Sequence, residues 1–538
     1  MQSTNNTPTF YSLKIIMRHS FIIASMLSAV MPLGASAAGI ADAAGVDTVA
    51  RIMQYHDYNY IHNVESGSLN PVSIAALPLS QLASVGVSYS WQDGDYHRVD
   101  RSGNIHGLKV DTYGFRKGER VSFEGGISYT NRNEKARCWN STLYIDPLNP
   151  FILADPYPSD YNSELFDVSG RVALNLSSRL RIGLNAVYNA GVASDEQDPR
   201  VETKGMRFVI NPGVEYDLSP SLSLGATGGL NLMSESLSYT TLVAAQTYDF
   251  YLMSGLGSFY PIVNKSYTRD YKGTSWFAGG SLRFAPSASV SDYLTATFSH
   301  DFEKAVDGGS VYQFRGGDYN NDFVTVTNRL SVNAGRMAHN VTIDFRADDI
   351  HGIWYDQVSE TVNGSTVWNV VSESVKYKER RYNYSLGYRA DWLDRSGAPS
   401  LTAAFNVGSL HSDATDYPDL YRREYTRLKV GADVKKHFNL RRVRFGVGVS
   451  FTGDYDMTSR DSYNFAGQEL EQDYSLPMNA WLTSSSYNFS GSLDMMLPVA
   501  GYVVGAYVKG GSTRCTKGAM GLKGESMNSI ACGVTLSF

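Results

Sequence analysis

Three cysteines in 538 residues, Cys138, Cys515 and Cys532, are too few for a disulfide scaffold, and their spacings are not those of a zinc site. Beyond residue 40 no run of about 20 apolar residues occurs, so membrane-spanning helices are excluded. Basic excess is also missing. A formal net charge of -6 and an isoelectric point near 6.0 leave no cationic surface to neutralise phosphates, which sets nucleic acid aside as a partner. Proline is modest, at 17 residues, and leaves room for long extended strands. No nucleophile and base pair stands out. His300, His339, His351, His411 and His437 are scattered between strand ends and turns, so an enzyme is not expected, nor any cofactor. His56, His62 and the acidic run Asp318-Tyr319-Asn320-Asn321-Asp322 could touch a metal; ordinary loop chemistry accounts for them, and no metal site is expected.

What the chain does have is alternation. Ile530, Cys532, Val534, Leu536 and Phe538 share one side of a two-residue period, and Ser529, Ala531, Gly533, Thr535 and Ser537 share the other. The same period begins at Val85, Val87, Tyr89 and Trp91 and repeats to the end. Leu428, Val430, Ala432 and Val434 answer Val443, Phe445, Val447, Val449 and Phe451 across a turn, with no charge in either apolar set. Such strands hide their hydrophobicity from averages, which is consistent with a mean hydropathy of only -0.25. Aromatics reach 12%, and Tyr188, Tyr216, Phe284, Phe298, Tyr382, Trp392, Phe451 and Tyr455 fall near strand ends, where interface girdles sit.

Tight connections alternate with long ones. Ser177-Ser178, Leu218 to Ser221, Arg336 to His339, Asp394 to Pro399, His437 to Leu440 and Pro498 to Gly501 read as hairpin turns. Residues near 132–164, 236–272, 305–321, 350–376, 413–421 and 458–482 are long and rich in Tyr, Asn, Asp, Ser and Gly. Short turns at one end and long loops at the other give an all-β chain: a closed antiparallel transmembrane β-barrel of about 18 strands, with 16 or 20 within boundary error. Three segments follow. Arg18 and His19, the apolar run Phe21 to Leu33, and Ala35-Ser36-Ala37 read as an extension and secretory signal over residues 1–37. Residues 38–82 do not alternate; Asp47 can cap a short helix carrying Val49, Ile52 and Met53, and the segment is either a periplasmic leader or a hatch inside the lumen. Residues 83–538 form the barrel.

The terminal Phe538 and the hairpins from residue 83 resemble a Gram-negative outer-membrane β-barrel, where a C-terminal aromatic is part of the assembly signal. The chain is also similar in length and texture to an uncharacterised barrel family, known only as a domain of unknown function, whose members tend to be encoded near TonB-dependent receptors and surface lipoproteins. That resemblance implies location in the outer membrane, a role in nutrient uptake, and a TonB-dependent receptor or surface lipoprotein as partner. The leader is too short for the plug of such a receptor and is comparable to the hatch of FadL-type barrels.

Two sets of residues are candidates for function. If the apolar set meets lipid, Arg171, Arg181, Arg207, Arg283, Arg329, Arg346 and Arg389, with Asp344 and Asp391, face inward and can form a charged constriction selecting small polar solutes. Wall solvation and ion pairing are the plainer account of the same charges. Tyr248, Phe250, Tyr251, Tyr260, Trp354 and Trp368, read as loop aromatics, can contact a ligand or partner at the surface or pack among themselves. Passage of solutes is thus the leading reading and surface binding the alternative. Cys138 and Cys515 fall in outward loops near the two ends that meet on closure, which leaves open both a bridge and two unpaired thiols.

Overall fold

The computed structural model describes residues 61, 63–77, 79–243, 245–308, 313–362, 364–395, 397–461 and 470–538. The signal segment, the Asp47 helix, His56 and His62 lie outside the described residues. The period-two segments become strands because one face of each is apolar across its middle and its neighbours offer the complementary backbone groups. In chain order they are β1 (Gln81–Gly94), β2 (Asn104–Lys117), β3 (Val121–Arg137), a short β4 (Leu153–Ala154), β5 (Ser159–Asn175), β6 (Leu180–Ser194), β7 (Arg200–Ser219) and β8 (Leu222–Thr240). A hairpin follows, β9 (Tyr248–Gly255) and β10 (Ser258–Asn264), then β11 (Tyr267–Ser287), β12 (Val290–Asp307), β13 (Phe314–Ala334), β14 (Met337–Val362) and β15 (Ser365–Leu393). The chain ends with β16 (Pro399–Asp416), β17 (Tyr421–Leu440), β18 (Val443–Asp461), the helix α1 (Leu476–Leu482), β19 (Ser485–Val499), β20 (Tyr502–Lys517) and β21 (Ser526–Ser537).

All but β4, β9 and β10 join one 18-stranded antiparallel sheet, each strand beside its neighbour in sequence. The sheet closes on itself. Val87 lies opposite Val534 and Tyr89 opposite Cys532, and Ala83 and Phe538 exchange both backbone hydrogen bonds at 2.8 Å. Closure leaves no free edge, the condition for β-structure in a bilayer. Two- to five-residue turns such as 220–221, 335–336 and 441–442 mark one end, together with both ends of the sheet; the other end carries the long connections, with short ones at 195–199, 363–364 and 417–420 among them.

The outer wall carries an apolar belt. Val87, Phe123, Ile182, Leu184, Val214, Leu230, Phe298, Ile343, Phe405, Val449, Phe489, Leu493 and Val534 are all exposed. Water would penalise so much contiguous apolar area, and lipid does not. The hydrophobic core therefore sits inside, as separate clusters where segments enter the lumen.

Some boundaries differ from the sequence reading. The barrel begins at Gln81, two residues early. The stretch 350–376 is not a loop, because β14 and β15 stay paired out to Val362 and Ser365. Connections 95–103, 195–199 and 518–525 also belong to the loop end. They are short and polar, and alternation resumes so soon after each that it masks the break.

Candidate functional site

Residues 61, 63–77 and 79 run inside the lumen at the tight-turn end. Asn70 begins this path: its side chain accepts the Val72 N–H at 3.1 Å, capping the 3-10 turn Pro71–Ala76, and donates to the Val214 carbonyl at 3.1 Å. The wall answers. Asn211 donates to the Leu69 carbonyl at 2.8 Å, Arg329 to the Asn63 carbonyl at 3.0 Å, and Ser68 and Tyr293 share a hydrogen bond at 2.8 Å. Ile74, Leu77 and Leu79 pack with Leu82, Phe115, Ala173 and Val503 in a small apolar patch. Glycine makes the fit possible, since a Cβ at Gly183 would come within 2.9 Å of the Val72 nitrogen.

Charge gathers where this segment meets β6, β7 and β11. Arg181 bridges Glu215 and Asp217, the latter at 2.6 Å, and Arg283 reaches Glu65 at 3.3 Å and Asp217 at 3.5 Å. Burial pushes the Glu65 carboxyl up to about 8, with Glu215 adding to the rise and Arg283 and Arg181 opposing it. A cavity of about 520 Å³ separates the segment from the opposite wall and is lined by Glu65, Asp111, Glu124, Arg171 and Thr535.

Chain also fills the loop end. The connection from β3 to β5 turns inward and adds β4 to the β9–β10 hairpin as a three-stranded sheet within the barrel. Wall side chains hold it through its backbone: Glu235 accepts the Leu143 and Tyr144 N–H groups at 2.9 and 2.6 Å, Glu303 accepts that of Asp146 at 2.9 Å, and Tyr271 accepts that of Leu153 at 3.0 Å. Arg269, fully buried and bidentate to Asp307, donates to the Phe151 carbonyl at 3.3 Å. Helix α1 enters from the β18–β19 connection, where Arg427 donates to the Leu482 carbonyl at 2.7 Å.

The inward arginines do not form one constriction. Arg181 and Arg283 join the cluster at Glu65; Arg329 and Arg171 touch the same segment, the latter 3.4 Å from the Ser73 hydroxyl. Arg346 pairs with Asp348 at 2.6 Å and Arg389 with Asp391 at 2.8 Å, each along its own strand. Asp344 accepts from Thr327 and Ser385, and Arg207 donates to Asn231 at 3.0 Å. Asp217 and Glu65 are members that sequence reading missed, because nothing in a polar leader or a turn residue announces what will lie opposite it. The acidic run Asp318 to Asp322 is part of β13, where Asp318 and Asp322 share a face four residues apart and take different partners, Asp322 taking His300 at 2.8 Å. Asp318 instead pairs with Arg315 at 2.7 Å.

The aromatics also divide. Tyr248, Phe250 and Tyr251 are buried in the inserted sheet, with Phe250 tilted against Tyr239 and stacked on Tyr267, because the lumen offered these loop residues a dry place to pack. Tyr260, Trp354 and Trp368 line an outward groove of about 910 Å³ with Tyr267, Phe314 and Gln357. Trp354 and Trp368 belong to β14 and β15, not to a loop, and Phe314 meets both edge-on at 6.2 and 5.2 Å. The Cys138 and Cys515 thiols are unbridged. Burial, then Asp155 and Asp100, push the Cys138 thiol up to about 12.

A profile described as a family of unknown function (DUF6850) matches residues 71–538. The chain belongs to DUF6850. The DUF6850 match begins at the 3-10 turn, so it takes in the second half of the luminal segment as well as the barrel. No curated protein matches the chain. Solved structures of similar shape include the ferric preacinetobactin receptor BauA of Acinetobacter baumannii, 9% identical, covering 85% of this chain and 80% of that one at a TM-score of 0.39. A Pseudomonas aeruginosa FadL homologue is 11% identical over 91% of this chain and 97% of that one, at 0.35. The outer-membrane transporter YddB of Escherichia coli is 8% identical over 85% and 81%, at 0.38. Nothing about solute or partner follows from likenesses of this size.

Proposed function

We propose that this DUF6850 barrel sits in the outer membrane of a Gram-negative bacterium and passes small polar solutes. Its route is narrowed at one end by residues 61–79 and at the other by its inward-folded loops. One observation carries the reading: neither filler is a strand of the 18-stranded sheet, and the one at the tight-turn end is held to the wall by hydrogen bonds, ion pairs and one small apolar patch that can exchange with water, while the loop end is packed more firmly in buried apolar clusters. Eighteen strands enclose an aqueous channel unless something occupies it. The test is conductance in planar bilayers. The full chain should conduct weakly, and a variant lacking residues 61–77, with the barrel verified by its heat-modifiable mobility, should conduct more. Silence from both refutes passage.

The aromatic groove favours a second reading, a surface-binding barrel working beside a TonB-dependent receptor or a surface lipoprotein. Uptake by whole cells, compared between wild type and groove variants of unchanged conductance, tests it; equal uptake removes it.

A further inference from the structure

The inserted sheet has one bare edge. Its strand order is β10–β9–β4, and β10 pairs with β9 and with no other described strand. β4 and nearly all of β9 are buried, whereas Tyr260, Pro261, Val263 and Asn264 of β10 are exposed, Val263 by 66%. The register tells which backbone groups face outward. Met253 donates its N–H to the Ile152 carbonyl at 2.9 Å and Asp249 donates its N–H to the Tyr157 hydroxyl at 3.2 Å, so the odd-numbered residues of β9 turn away from β10. Phe250 and Leu252 therefore bond Ile262 and Tyr260 opposite them, and the Val263 N–H and the Pro261 and Val263 carbonyls point to the bare edge. Pro261 suits that side, where its missing N–H costs no ladder bond. β10 carries no charge to guard the edge, which is a template for another extended chain.

The aromatic groove lies along the same strand. Tyr260 and Ile262 line it from β10, and Trp354 and Trp368 line it from the extended β14–β15 hairpin. Side chains alternate across a strand, so a chain added beside β10 sends every second side chain to the groove face. At about 910 Å³ the groove is of a size that buries a ligand. Charge selects the occupant. No lysine or arginine lines the groove, and residues 353–375 of the hairpin hold Asp356, Glu360 and Glu373 with no basic residue among them. All three acids are exposed. Arg315, at the start of β13, is taken by Asp318 at 2.7 Å and the Tyr355 hydroxyl at 2.8 Å.

We infer that an extended basic peptide, apolar at every second position, docks as a fourth strand on β10, with its main chain on the edge and its apolar side chains in the groove. The inference rests on the surface-binding reading of the groove and names its ligand. Fluorescence anisotropy of a labelled heptapeptide alternating lysine with valine, titrated with the full chain in detergent, tests it. Binding is expected. Only alternate peptide N–H groups meet β10, so N-methylation of the even positions and of the odd positions should differ, one weakening binding at least tenfold and the other far less. Val263→Pro, which removes an edge N–H and no bond to β9, should weaken it severalfold, as should glutamate in place of the peptide's lysines; the methylated peptides keep the test open should the variant fail to fold. Equal binding of the two methylated peptides overturns edge addition, and the groove then still captures ligands if Trp354→Ala/Trp368→Ala abolishes binding. No binding of the peptide, with uptake still lowered by the groove variants, overturns the peptide and keeps the surface-binding reading; uptake equal to wild type removes both. Dimers that Val263→Pro dissolves, without peptide binding, give the edge to a second copy of the chain and overturn the proposal.

Discussion

Glu65 is the side chain whose chemistry most directly bears on the seating of its own segment in the lumen. It is buried against Glu215, Asp217 and Tyr293, with Arg181 and Arg283 as the cations, and three carboxyls share two guanidinium groups. Its ordinary value of 4.5 rises to about 8 in the fold, so between those limits the docked segment holds a proton that the released segment does not. More protons bound in the docked state means docking is favoured at low pH and is lost as pH rises through about 8, by up to tenfold per unit. Protease nicking between residues 61 and 79 should accordingly accelerate from pH 5 to pH 8. Glu65→Gln, which keeps the shape and removes the charge, should flatten that profile and slow nicking at pH 8. A profile with the opposite slope, or one unchanged in the variant, refutes the assignment.

β14 and β15 continue their ladder well past the other strands, and the consequence is a wall of rings. Phe314 at the start of β13 packs edge-on against Trp354 and Trp368, while Tyr260 is exposed on β10 across the groove. The strands themselves could be read from alternation, with turns placed within a few residues, Leu218 to Ser221 for 220–221 and Arg336 to His339 for 335–336, because a one-residue slip would turn every apolar side chain from lipid to water. Their extension could not. Between residues 350 and 376 the apolar period fades into polar and charged residues, so pairing there depends on backbone bonds and neighbouring rings that no local pattern records. If the groove captures a solute, each indole face contributes about 0.5–1.5 kcal/mol, so Trp354→Ala and Trp368→Ala should each lower affinity about 2- to 10-fold. Cells carrying the double variant should take up less at low solute concentration and equally much at saturation, with single-channel conductance unchanged. Uptake equal to wild type at every concentration discards capture by the groove.

The closed sheet and its strand number follow from a pattern that lipid enforces on every second residue, so the sequence revealed them. What fills the barrel followed other rules. Residues 138–158 and 248–264 look like surface loops because they are aromatic and polar, and only the existence of a lumen with Glu235, Glu303, Tyr271 and Arg269 on its wall turns them inward. The charged constriction expected from inward arginines was dispersed for the same reason, each arginine taking the nearest acid or backbone carbonyl. Two obstructions at opposite ends of one tube act in series, and this fixes how their removal must combine. Deleting residues 61–77 leaves the loop end limiting; replacing residues 140–152 by a short Gly-Ser linker leaves the tight-turn end limiting. Each single variant should therefore raise bilayer conductance modestly, and the double variant should exceed the sum of the two gains. If either single variant alone reaches the conductance of the double, the other segment does not obstruct the route, and solutes bypass it within the lumen.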